Sequence, residues 1–328
     1  MNRPQRRRRL SNVSALVAPV VLASSTKVLG TPTPARADTF PGNTVSYYLH
    51  NLSTSALGLE GCFETGYAVA NDRNIVLDFG AQVSDSSSGD GWGAQSPFTT
   101  SPLPDNSSNA SVETVESATL AFLDGLTYCN DTMSAWVGIG TNNSGSKVNA
   151  TAGSIWGQLV YETYLTYYNN SGDGFVTLRG ANDIEPAWSS WSSAKQWIGG
   201  NTPALRTSSS GSGSGYQTWA GAVPYFDFGS ADGCSYSQCA NSWTQNQVYS
   251  AAYGYYGAIA MPEIYNPGVV ADWQVVSQDN PPGIYYSTAL SEHAQDSSTY
   301  TAAEAWQELW SISSQSGISI SSSDIAET

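Results

Sequence analysis

The chain has 328 residues and a formal net charge of −15, from 12 Lys and Arg against 27 Asp and Glu. Arg3, Arg6, Arg7, Arg8, Arg9, Lys27 and Arg36 precede residue 38 and no acid does, so the remainder carries five cations against 27 acids, a net of −22. Such a surface repels phosphate backbones and anionic lipid, which argues against nucleic-acid or anionic-membrane partners. Two histidines leave little for a His-rich zinc site, and 40% hydrophobic residues supply a core that excludes general disorder.

The N-terminus is expected to be a secretory leader. Arg6 to Arg9 form a positive region, Val13 to Ala23 a short apolar one, and Ala35-Arg36-Ala37 offers small residues for cleavage before Asp38. The apolar stretch is too short to span a bilayer, and no later segment approaches 18 apolar residues. The reading is therefore residues 1–37 as signal peptide and 38–328 as a single secreted domain, a monomer without a transmembrane segment.

Four cysteines agree with export. Cys234 and Cys239 bracket a short loop and are expected to pair, leaving Cys62 with Cys129. A Cys-x4-Cys pair with no nearby histidine fits zinc poorly.

The elements follow in chain order. Ser46 to His50 (SYYLH), with Val45 just before it, reads as a first strand and Asn74 to Gly80 (NIVLDFG) as a buried one, apolar on both faces. Residues 81–110 are Ser-rich and read as an excursion. Val112 to Leu126 has helical spacing, Ser134 to Thr141 is a strand, and Ala152 to Tyr168 is a helix. Gly174 to Asn182 is a strand ending in Asp183-Ile184-Glu185-Pro186, then comes a helix over Trp188 to Ile198 stopped by Gly199-Gly200. Residues 207–215 are a Ser/Gly loop or linker. Ala222 to Gly229 and Gly257 to Tyr265 are strands, with a helix over Asn246 to Tyr255 between them and an apolar run over Val269 to Val276 after them. Ala302 to Trp310 closes as an amphipathic helix.

Buried strands alternating with helices predict an α/β fold with a parallel sheet. Polar or acidic residues recur at strand ends: Asp78, Thr141-Asn142, Asp183 with Glu185, Asp227, Glu263. Function gathered at the C-terminal ends of successive strands is the arrangement of a (β/α)8 barrel, here with six or seven strands placed and the eighth inferred. No glycine-rich phosphate loop follows an early strand, no GxSxG occurs, and no EF-hand spacing is present. No cofactor or metal is named.

Asp183 and Glu185 are the first candidates for chemistry. A strand period of two sends both to one side and Ile184 to the other. Two close carboxyls can share a proton, which leaves one as an acid and one as a charged partner. Glu185 has the longer reach and is assigned as general acid, with Asp183 orienting it or a substrate amide. The competing reading has both acids capping the following helix. Glu263 is the second candidate, as base or nucleophile across the cleft, or as a surface acid on a turn. Asp78 and Asp227 each sit in a DFG tripeptide and either line the cleft or hold the glycine turn. The chain carries 11 Trp and 19 Tyr, and rings with polar edges suit sugar faces. Trp188, Trp191, Tyr225, Trp243, Tyr265 and Trp273 lie near the strand ends, with Tyr225, Tyr265, Trp188 and Trp273 taken as substrate-binding beside Asp78 and Asp227.

The order NIVLDFG, YCN, AWVGIGTNN, RGANDIEPAW, YFDFGSADGC and AMPEIYN resembles a group of exported actinobacterial proteins related to glycoside-hydrolase-like (β/α) TIM barrels. The resemblance covers residues 74–275, and ANDIEPAW is its most specific piece. It implies an Asp-x-Glu pair in a sugar site, carried onto Asp183 and Glu185, with Asp78, Asp227 and Glu263 around it. The expected function is a secreted glycoside hydrolase acting on a polysaccharide or oligosaccharide. A non-catalytic carbohydrate-binding or cell-surface protein on the same barrel stays open beside it.

Overall fold

A computed structural model describes residues 44–49, 51–64, 73–86, 88–95, 109–129, 134–144, 148–171, 176–201, 223–235, 238–255, 257–292, 297–316, 319–320 and 326–327. All lie within one compact unit, Ala37–Thr328. The expected leader, its cleavage site, His50, His293 and the 207–215 loop lie outside the described residues.

The elements run β1 (Thr44–Tyr48), α1 (Thr54–Glu64), β2 (Arg73–Ser84), β3 (Trp92–Gln95), β4 (Asn109–Ser111), α2 (Val112–Cys129), β5 (Ala135–Asn142), α3 (Ala150–Ser171), β6 (Val176–Asp183) and α4 (Trp191–Gly200). Then come β7 (Tyr225–Asp227), α5 (Gln245–Tyr249), β8 (Ala258–Ala260), α6 (Pro267–Gln278), β9 (Tyr285–Tyr286), α7 (Ala302–Ser316), β10 (Ser319–Ile320) and β11 (Ala326–Glu327). The protein is thus α/β, with seven α-helices and one sheet of 11 strands among the described residues. Nine strands are parallel, in the order β10-β9-β8-β7-β6-β5-β2-β1-β11, and β3 and β4 extend β2 as an antiparallel flap. The Ser-rich excursion therefore begins later than expected, because β2 runs on to Ser84 to pair with β3.

Two apolar layers follow from strand alternation. On β2, Ile75, Leu77 and Phe79 join the large core against the helices, whereas Val76 joins a second, smaller cluster with Ala181, Phe226, Phe228, Met261 and Leu290. These six come from separated parts of the sheet, so the sheet curls around its inner face. Glycine makes room there: a Cβ on Gly138 of β5 would lie 2.9 Å from the Phe226 ring and 3.0 Å from Ala181. Lower on β6, the Arg179 guanidinium sits 4.6 Å from the Trp136 ring centre and 5.4 Å from that of Phe226.

Helix α1 was not expected from the sequence. Gly58 and Gly61 weaken its helical preference by about 1 kcal/mol each. Gly61 is needed, with Gly125 opposite it, because α1 and α2 cross backbone to backbone: a Cβ on Gly61 would stand 2.0 Å from the Phe122 carbonyl, and one on Gly125 1.9 Å from that of Gly58. The Cys62–Cys129 disulfide, with Cα atoms 5.2 Å apart, joins the same two helices. Cys234 pairs with Cys239, and no described cysteine is free. Both pairs are the expected ones. Among the described residues, no helix is long and apolar enough to cross a membrane.

Candidate functional site

Asp183 is the last residue of β6, and Ala181 before it points into the inner cluster. Alternation therefore carries Asp183 to the inner face, turns Ile184 into the helix-side core, and returns Glu185 inward. Met261, the residue after β8, also faces inward and brings Glu263 with it. The three acids converge: one carboxylate oxygen from each of Asp183, Glu185 and Glu263 lies within 4.8 Å of the others. They are 1%, 8% and 1% exposed.

Two tyrosines close the site. Tyr48, at the end of β1, directs its hydroxyl at Glu263 Oε1, 3.5 Å away, and Tyr265 hydrogen-bonds the same carboxyl. In a flat sheet, five strand-to-strand steps would separate β1 from β8 by about 24 Å. The Tyr48–Glu263 contact shows how far the sheet curls.

Glu185 is held at its backbone by a side chain from the next strand. Asn143, just past β5, accepts from Glu185 N at 3.1 Å and donates to Glu185 O at 2.9 Å and Ser189 Oγ at 3.0 Å. The loop after β7 grips the other side. Asp227 Oδ1 accepts from Ile184 N, Asp232 Oδ2 from Ala187 N, and Asn241 donates to the carbonyls of Pro186 and Ala187. Trp243 Nε1 donates to Ser189 O. Ser230 donates to Asp232 at 2.6 Å and also bonds the Glu185 carboxyl. Gly229 permits this approach, since a Cβ there would meet the Ile184 backbone at 2.6 Å.

Burial dominates the electrostatics. It pushes the Glu185 carboxyl up to about 7, helped by the Asp232 charge and opposed by hydrogen bonds from Ser230 and Glu263. Asp183 and Glu263 are raised well above the ordinary carboxyl range, first by burial, then by each neighbour's negative charge. Burial takes Asp78 to about 7, against the Gly80 N–H, and Asp227 to about 8, against the N–H groups of Ile184 and Gly229. Three carboxyls this close do not all ionise at neutral pH, so the group holds protons it can give up.

The expected residues separate into three groups. Asp183, Glu185 and Glu263 come together, with Tyr265 on Glu263, and Asp78 on the same inner face of β2. Trp188, 40% exposed, stands three residues past Glu185 and donates its backbone N–H to the Glu185 carbonyl. Asp227 lies between two inward phenylalanines; its Oδ1 accepts from Ile184 N, and its carboxyl also takes the Gly229 N–H of the glycine turn. Tyr225 and Trp273 belong to the helix-side core: Tyr225 donates to Ala251 O and packs on Trp197, and Trp273 packs edge-on against Tyr286 6.0 Å away. Strand alternation and helix packing turn both rings away from the acids and into the helix-side core. Trp191 and Trp243 pack on each other, with ring centres 5.2 Å apart. Tyr48, Asn143, Ser230, Asp232 and Glu292 were not singled out. The SYY and TNN strand ends that contain Tyr48 and Asn143 were the available signal.

No protein-family model, curated protein or solved structure matches the chain.

Proposed function

We propose that the protein is a secreted glycoside hydrolase in which Glu185 protonates the glycosidic oxygen and Glu263 attacks the anomeric carbon. The curled sheet is taken to close as a (β/α)8 barrel, with β10 and β11 sharing the eighth strand position. The two disulfides and the basic leader support export. The observation that carries the reading is the convergence of Asp183, Glu185 and Glu263 within 4.8 Å at the strand ends, with Glu185 raised to about 7. A group near that value holds a proton to give and accepts one back at neutral pH.

The separation bears on stereochemistry. Inverting enzymes leave roughly 6.5–9.5 Å between carboxyls for a water, and retaining ones about 5–5.5 Å. The nearest carboxylate oxygens, within 4.8 Å of one another, support a proposal of retention. Asp183, raised by both glutamates, orients the pair and sets which of them holds the proton. Trp188 and Tyr265 supply ring faces and a hydroxyl to the sugar.

The test is hydrolysis of a panel of cell-wall and plant glycans, with the product anomer read by NMR before it mutarotates. Cleavage with retained configuration supports the assignment, and inverted product removes Glu263 as nucleophile. Binding of a glycan with no cleavage of any would replace the hydrolase with a carbohydrate-binding protein.

A further inference from the structure

Among the described residues, no cation stands beside the acids of this site. The largest charge effects on Asp183, Glu185 and Glu263 all come from other acids, among them Asp232, Glu292 and Asp78. Arg179 is engaged by Trp136 and Phe226, and its shift comes from burial rather than from any carboxylate. Lys195 lies on the exposed side of α4. Two inner carboxylate oxygens are also unsatisfied. Asp183 Oδ1 and Asp78 Oδ2 accept no hydrogen bond, on side chains 1% and 0% exposed. Asp78 Oδ1 takes the Gly80 N–H at 2.8 Å, and strand alternation after Val76 aims the side chain at the inner face. Buried acceptors without donors are rare in folded proteins and call for a ligand that donates.

We infer that the sugar bound at these acids carries a free, protonated amine, so that the substrate class is a glycan containing unacetylated amino sugars, with Asp183 and Asp78 accepting from the ammonium. This rests on the glycoside hydrolase reading for the reaction, but not for the binding. An ammonium is a compact cation with three donors. It satisfies the two orphaned oxygens and supplies the missing charge. Its arrival favours ionised Asp183, so the proton remaining in the cluster sits on Glu185, where the leaving group needs it. A uronate, sulfate or phosphate on the glycan meets like charge and is rejected. An N-acetyl group brings one neutral N–H and no charge, and so gains less.

The experiment is calorimetric binding at pH 6 and low salt of four tetrasaccharides: glucosamine with free amines, its N-acetylated form, glucose, and a uronate, with hydrolysis of each followed in parallel. The free-amine ligand is expected to bind about tenfold or more tighter than the N-acetylated and neutral ones, with the uronate weakest, and its advantage to shrink with added salt. Asp78→Asn should remove most of that advantage, weakening the free-amine ligand about tenfold more than the neutral one. Because that variant can fail to fold, the salt series on the unaltered protein is an independent check. Equal or tighter binding of the N-acetylated, neutral or uronate ligand overturns the inference. So does thermal stabilisation by calcium, magnesium or manganese that abolishes the amine preference, which would assign the acids to a metal. Amine preference without cleavage of any ligand supports the inference and removes the hydrolase reading; cleavage without amine preference does the reverse.

Discussion

The Tyr48 hydroxyl meets Glu263 Oε1 at 3.5 Å although 215 positions separate the two residues in sequence. The contact spans the inner face of the sheet, and it places a donor on the proposed nucleophile. A hydrogen bond to the ionised form favours ionisation. Tyr48→Phe should therefore raise the Glu263 pKa further, lower kcat about tenfold and shift the acidic limb of the pH–rate profile upward. An unchanged profile would mean that Tyr48 serves only packing.

Asn143 determines where the Glu185 backbone sits. Asn143→Ala leaves the buried Glu185 N–H without its partner, at about 1–3 kcal/mol, while Glu185 O keeps only the Trp188 N–H. We expect a lower melting temperature and a fall in kcat of about 100-fold, with KM changed much less, because the acid is displaced rather than deleted. Asn143→Asp keeps the acceptor for Glu185 N but loses the donor and should recover only part of either loss.

The buried acids predict an unusual pH dependence of stability. Asp78 and Glu185 at about 7 and Asp227 at about 8 hold protons in the folded state that the unfolded chain has already released. Folded protein thus binds more protons across the window from about pH 4 to about pH 8, so stability falls as pH rises through it. Denaturant unfolding at steps of pH should show that decline, and a variant that folds with Asp78→Asn should show a shallower one.

The two disulfides should separate stability from activity. Cys62–Cys129 closes a long loop, with 67 residues of separation, beside the start of β5 and away from the acids. Its removal should cost about 4 kcal/mol and spare kcat in protein that remains folded. Cys234–Cys239, with a separation of 5, closes the loop that carries Asp232 and Asn241 onto residues 185–189. Replacing both cysteines by serine should cost only about 2 kcal/mol. It should nonetheless reduce kcat, since Ser230 and Asp232 then hold Glu185 less firmly. Melting curves and turnover on the two double variants decide this.

Parts of this organisation are legible in the chain. NIVLDFG is apolar on both faces, GFVTLRGAND is a strand leading into the Asp183-Ile184-Glu185 acids, and that is enough to predict buried parallel strands with Asp78, Asp183 and Glu185 at one end. Strand alternation likewise predicts the shared side of Asp183 and Glu185. Helix α1 is hidden because Gly58 and Gly61 lower its local propensity, and Gly61 serves a crossing with α2 that propensity does not register. Tyr225 and Trp273 misled for the opposite reason: position near a strand end does not say which face a ring takes. Asn143, Ser230 and Asp232 act across strands, through contacts that exist only once β5, β6 and β7 lie side by side.

The most direct measurement compares Glu185→Gln with the unaltered protein on two substrates of one sugar, an unactivated glycan and a nitrophenyl glycoside whose leaving group needs no proton. If Glu185 is the general acid, turnover of the glycan falls by about 10²–10⁴-fold while the nitrophenyl glycoside loses far less. Equal losses on both, or no loss on the glycan, would contradict the assignment of the acid to Glu185.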